Sequence, residues 1–163
     1  MRAFKATVLV SALISSAILP SMGDIVIHDE ATMVKEAEVI AVVNFDTPRE
    51  NPSAGDRADS GEMWRYSIVA AAKTLSLLKG TLPKSFDFFG GEDSSCGSCV
   101  PSKGRFLVFL RKDGKKWVGA NWQFSLRPIK DGKINWYERG EKLKFSLQDE
   151  AEVMARVKEQ IAK

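Results

Sequence analysis

Residues Trp64–Val118 read WRYSIVAAAKTLSLLKG, TLPKSFDFFGGEDSSCGSCVPSKG and RFLVFLRKDGKKWV in succession. Trp64, Tyr66, Ile68, Ala70 and Ala72 alternate as the inner face of a strand does. After Thr74 the apolar phase slips to Leu75 and Leu77. One slipped residue in a long strand is the mark of a β-bulge, and bulges bend strands into barrels. Ile68, Ala71, Leu75 and Leu78 also fit a helical face, which the alanine run favours. The aromatic start and the stop at Lys79-Gly80-Thr81-Leu82-Pro83 argue for the strand. Ser85–Phe89 predicts a short strand with Phe86 and Phe88 on one face, and 90–103 a loop. Arg105–Arg111 predicts a buried strand, and Asp113-Gly114 a hairpin into Lys115–Gly119.

Upstream, Val39–Phe45 (VIAVVNF) is a β-branched run that reads as a buried strand, after a short apolar start at Ile25–Ile27. A short helix is expected over Asp29–Ala37, with Asp29 or Thr32 as N-cap. Residues 46–63 hold two prolines, two glycines and several charges, and predict a long mobile loop. Asp56, Asp59, Gly61 and Glu62 suggest calcium, but Ala58 and Ser67 stand where an EF-hand needs ligands. Downstream, Trp122, Phe124 and Leu126 alternate with polar residues, and Asp131-Gly132 turns the chain into Ile134–Tyr137. Two hairpins in a row imply an antiparallel meander. Residues 147–161 predict a C-terminal helix capped by Ser146, with Asp149 completing a capping box. Leu147, Ala151, Met154, Val157 and Ile161 would form its apolar stripe against the barrel.

The first 23 residues have the layout of a secretory signal peptide. Arg2 and Lys5 lead a short apolar run, and small residues precede a cleavage point before Asp24. The expectation is a single exported domain over 24–163, periplasmic or secreted. Cleavage removes two basic residues and no acidic one, leaving 22 basic against 21 acidic residues. That near-neutral balance speaks against nucleic acid and anionic membranes as partners. No later stretch is long and apolar enough to cross a membrane as a helix.

The order of Leu78-Lys79-Gly80, then Cys96-Gly97, then Gly104-Arg105-Phe106-Leu107-Val108-Phe109-Leu110 resembles the OB-type barrel of tissue inhibitors of metalloproteinases, netrin C-terminal modules and related secreted bacterial proteins. The resemblance covers about Val39–Trp117. It implies a five-stranded barrel with helical cover. In that family, inhibition of metalloproteinases uses a cysteine at the mature N-terminus to chelate the target's zinc. Here Asp24 stands at the expected start, so that activity does not carry over.

Cys96-Gly97-Ser98-Cys99 is the motif with the most chemical potential. In an oxidising compartment its two cysteines read first as a structural disulfide closing a tight loop. A redox pair is the alternative, though the residues after Cys99 begin no helix that would lower a thiol pKa. Val100 after Cys99 excludes haem attachment. His28, the single histidine, reads as a solvent-facing side chain, and two cysteines with one histidine are too few for zinc. No catalytic residue, metal or cofactor is predicted. Asp87 with Glu92 or Asp93 is a weak carboxylate pair, equally explained by a charged loop. Trp117, Trp122, Trp136 and Tyr137, with Arg111 and Lys115 nearby, are the candidate ligand-binding residues: aromatic rings beside cations could grip a saccharide. The same rings could instead fill the barrel. The sequence thus predicts a mainly β protein, a five-stranded OB-like antiparallel barrel with a C-terminal helix. Its expected role is non-catalytic binding of a protein or saccharide. The alternatives are a thiol–disulfide protein or a protease inhibitor of another mechanism.

Overall fold

Strand β7 (Gly104–Asp113) is apolar through its centre, with Phe106–Leu110 wholly buried. The computed structural model describes residues 28–54, 66–93, 97–141 and 144–163. The expected leader, Ile25–Ile27, half of the 46–63 loop, Trp64 and Cys96 lie outside these residues. Along one edge, β7 pairs with β1 (Val39–Phe45) over the whole of β1. Its other edge is divided. Leu110–Asp113 pairs with β8 (Lys116–Gly119), and Phe106–Val108 pairs with β9 (Leu126–Lys130).

The barrel closes through β1, β3 (Ile68–Lys79), β4 (Ser85–Gly90), β8 and β7 in that order. Every pair is antiparallel except β4–β8, which is parallel at Phe88 and Trp117. The five-stranded barrel with a C-terminal helix is the expected one, and its one parallel pair is required because five strands in a closed ring cannot alternate direction throughout. The chain also departs from a plain meander, because β8 and β9 are neighbours of β7 and not of each other.

The bulge in β3 is present. Val43 pairs with Thr74 and Val42 with Ser76, which leaves Leu75 over, and a second irregularity leaves Leu78 over. The expected inward phase of Leu75 and Leu77 is not: they are 48% and 46% exposed. The expected loop over 46–63 contains a two-residue strand, β2 (Arg49–Glu50), paired to β3 at Val69 and Ile68. The 90–103 loop is partly a small hairpin, β5 (Glu92–Asp93) with β6 (Gly97–Ser98).

Two cores lie on the two sides of the β1–β7 pair. Ala41, Val43, Phe45, Ala70, Phe88 and Val108 face into the barrel. Ile40, Val42, Leu107 and Phe109 face outward, into a second core under a cap. The cap is built from α1 (Glu30–Glu36), β9, β10 (Lys133–Tyr137), β11 (Phe145–Asp149) and α2 (Glu150–Ile161). Asp29 caps α1 by accepting from Thr32 N at 2.8 Å.

Two readings of this region are corrected. Trp122–Ser125 is a 3-10 turn and not a strand. Ser125 Oγ accepts from Asn121 N at 2.6 Å, a local bond that competes with a ladder. Ser146 is likewise no helix cap, because Phe145–Asp149 pairs with β10 and α2 begins at Glu150. α2 buries Val153, Arg156 and Val157, and Met154, Val157 and Ile161 of the expected stripe pack on the core, while its first two members, Leu147 in β11 and Ala151, are exposed.

A buried polar network ties the cap together. Arg156 bonds Glu30, the Tyr137 carbonyl at 2.8 Å and Gln148 Oε1 at 2.8 Å. Trp136 Nε1 donates to the other Glu30 oxygen at 3.0 Å. Removing one partner of a buried pair strands the other charge. Arg156→Ala should lower stability by about 3–5 kcal/mol in urea denaturation. The Glu30→Leu/Arg156→Met double variant should lose clearly less than the sum of the two single replacements.

Candidate functional site

The six residues singled out as ligand-binding do not converge. Trp136 and Tyr137 are fully buried in the second core, where Trp136 stacks on Phe109 at 5.5 Å and the Tyr137 hydroxyl donates to the His28 carbonyl at 2.7 Å. They are cap structure and cannot meet a ligand, because β10 turns that face toward β1 and β7. Trp122 is half-buried against the barrel core. Trp117 lies edge-on to Phe86 at 6.3 Å, with Lys112 Nζ 5.0 Å from its ring centre. Arg111 and Lys115 are exposed on the same β7–β8 hairpin, whose turn holds Gly114 at φ +57°. His28 is not solvent-facing. It is partly buried, and its Nδ1 sits 2.7 Å from Glu36 off the hydrogen-bonding angle.

Cys99 is buried and carries a free thiol in the structure, which donates to the Trp122 carbonyl at 3.1 Å. A Cβ at position 90 would stand 1.9 Å from the Cys99 carbonyl oxygen, and one at position 119 would stand 3.0 Å from its sulfur. Two glycines thus let the CGSC hairpin press onto the barrel. Burial pushes the thiol up to about 12, against a weaker lowering by its bond to the Gly119 backbone. Burial thus disfavours the Cys99 thiolate at neutral pH. The expected disulfide partner, Cys96, lies outside the described residues.

Arg127 was legible only as a polar residue on an alternating stretch. It is 7% exposed, and its guanidinium carbon stands 4.8–5.7 Å from the ring centres of Phe124, Trp136, Tyr137 and Phe145. Its Nε and Nη2 have no hydrogen-bond partner among the described residues. Burial lowers its pKa from the usual value, and the neighbouring Tyr137 hydroxyl opposes the shift. The rings take the place of a counter-ion.

A different face of the barrel offers a site. The outer side of β3 and β4 is uncovered by the cap. Register sets three rows across it: Asn44, Lys73 and Ser85; Asp46, Ala71 and Asp87; Arg49, Val69 and Phe89. Two clefts of about 520 and 460 Å³ open on these rows, and Asp87 lines both. Each residue rises about 3.3 Å along a strand, so three rows two residues apart span roughly 13 Å. Ala71 keeps the floor low between longer side chains. Phe89 is half-buried, with Lys116 Nζ 5.9 Å from its ring centre and 5.3 Å from that of Tyr66. None of Asp46, Arg49, Lys73, Asp87 and Lys116 forms an ion pair with another described residue. Of the anticipated carboxylate pair, Asp87 belongs to this groove, while Glu92 and Asp93 are described only in their backbone. The signal that could have located the groove is the alternation Ser85, Asp87, Phe89 opposite the inward Phe86 and Phe88.

Among the described residues no cluster of His, Cys, Asp and Glu could hold a metal ion, and no helix is long and apolar enough to cross a membrane. No family model, no curated protein and no solved structure matches this chain.

The buried thiol makes stability depend on alkaline pH. A folded pKa of about 12 against the ordinary 9.0 stabilises the fold fully below about pH 9 and loses that contribution as pH rises toward 12. In reductant, stability should fall by about 1.4 kcal/mol per pH unit in that window from this group. Tyr137, whose pKa burial also raises, adds a fall in the same direction. Urea denaturation of Cys99→Ala beside the wild type isolates the thiol: the variant should show the shallower slope.

Proposed function

We propose that this protein is an exported, non-catalytic saccharide-binding module whose binding surface is the outer face of β3 and β4. The observation that carries the reading is the groove through Ala71 and Asp87, with charges of both signs that form no ion pair with another described residue, and one aromatic platform. Carboxylates and Asn44 accept from sugar hydroxyls, lysine and arginine donate to them, and Phe89 offers an apolar face to ring C–H groups. Nucleic acid fits less well, because Asp46 and Asp87 would meet its phosphates. The barrel order agrees with this use of the face, since OB barrels bind oligosaccharides and oligonucleotides across their second and third strands. Fold alone would not license the step; the groove chemistry does. In the thiol–disulfide alternative, attack would fall to Cys96, because the Cys99 thiol stays protonated. A Cys96–Cys99 disulfide would instead fix the hairpin that packs beside Gly90 and Gly119.

The test is NMR titration of the folded protein with a panel of neutral and amino-sugar oligosaccharides. Shifts should concentrate on Lys73, Ala71, Asp87 and Phe89. Asp87→Ala and Phe89→Ala should each weaken binding by about tenfold or more, roughly 1.4 kcal/mol, without lowering the melting temperature. Shifts confined to the Trp117 hairpin, or none with any sugar, would overturn the assignment.

A further inference from the structure

We propose that the saccharide taken by the β3–β4 face carries a carboxylate, held between Arg49 and Lys116 beside Phe89. The inference rests on the saccharide reading above and adds the charge class of the ligand. The two clefts that share Asp87 differ in charge. One is lined by Lys73 with Asp46 and Asp87, an excess of carboxylate. The other, of about 460 Å³, is lined by Arg49 and Lys116 with Asp87 alone, an excess of cation. Neither Arg49 nor Lys116 forms an ion pair with another described residue.

The two cations come from opposite flanks. Arg49 on β2 pairs with Val69, and Val69 pairs with Phe89 on β4. Lys116 arrives from β8, with its Nζ 5.9 Å from the Phe89 ring centre and 5.3 Å from that of Tyr66. Strands lie about 4.8 Å apart, so the Arg49 backbone stands roughly 10 Å from that of Phe89, room for one sugar ring. The cleft is built without a ligand. Asn51 Nδ2 donates to the Tyr66 carbonyl at 2.8 Å, and its Oδ1 accepts from Ser53 N at 3.2 Å, which fixes the wall next to Arg49. The Tyr66 hydroxyl donates to Asp113, the cross-strand partner of Lys116. Asp113 is thereby turned to Tyr66, and Lys116 is held by ring faces. A guanidinium presents a planar fork that matches a carboxylate, and charge-assisted bonds are roughly twice as strong as neutral ones. A neutral sugar leaves both cations unanswered. An acidic one answers them, while Asp87 at the boundary of the clefts accepts from the ring hydroxyls.

NMR titration with tetrasaccharides of galacturonate, glucuronate and mannuronate, each beside its methyl ester, tests this, because acid and ester differ in charge at the same ring. At least one acid should bind about tenfold or more tighter than its ester, with shifts at Val69, Asp87, Phe89 and Lys116, and the gap should narrow as salt rises. Arg49→Gln and Lys116→Gln should each weaken the acid about fivefold or more and leave the ester near its wild-type affinity. Lys130→Gln, at an exposed cation of the cap, should change neither. Tetraglutamate should bind more weakly than the acid, since it offers Phe89 no ring. Equal affinity for acids and esters on this face would overturn the carboxylate assignment and leave the saccharide reading standing. Tetraglutamate binding as tightly as the acid, or an acid preference that survives both glutamine variants, would also overturn it. If no acid and no ester binds, the inference fails, and the neutral and amino-sugar panel alone decides the saccharide reading. Near-UV circular dichroism confirms that each variant is folded, and should Lys116→Gln fail to fold, Arg49→Gln decides.

Discussion

A single strand has to satisfy three others, and the architecture follows from how β7 does so. Its edge toward β1 is fully used, while its other edge is shared between β8 and β9. The pairing at Leu110–Asp113 closes the barrel, and the pairing at Phe106–Val108 starts the cap sheet. Alternate residues of the same strand therefore enter different cores: Phe106 and Val108 the barrel, Leu107 and Phe109 the layer beneath the cap. A strand buried on both faces must be apolar without interruption, as Phe106–Leu110 is.

The cap is the more polar of the two halves, and its polarity is organised. Glu30, Arg156 and Gln148 satisfy one another and the carbonyls at the end of β10. Arg127 is held instead by aromatic faces. Arg156 joins segments far apart in the chain, so the cap forms only when α1, β10 and α2 are brought together. By covering one side of the barrel, the cap leaves the β3–β4 face exposed.

Local periodicity carried most of the fold. Val39–Phe45 is a strand to the residue, the Asp113-Gly114 hairpin stands, and the β3 bulge falls where the apolar phase slips. Errors arose where local pattern and tertiary pairing disagree. Phe145–Asp149 resembles the first turn of a helix, yet β10 recruits it into a sheet. Trp122–Ser125 alternates like a strand, yet Ser125 folds it into a turn. The site was less legible for a related reason. Trp136 and Tyr137 invite a binding role by type, and only the three-dimensional layering sends them inward. The groove residues Asn44, Asp46, Lys73 and Asp87 come from three strands, and no local motif links them.

Native-state hydrogen exchange tests the primacy of β7 most directly. Opening free energies are highest in the part of a structure on which the rest depends. The slowest amides should be those of Ile40–Val43 and Leu107–Leu110. The amides of β10, β11 and α2 should exchange sooner, as one cooperative group held by the Glu30–Arg156 network. If the cap amides outlast those of β7, the barrel is not the foundation on which the cap is built, and the account fails.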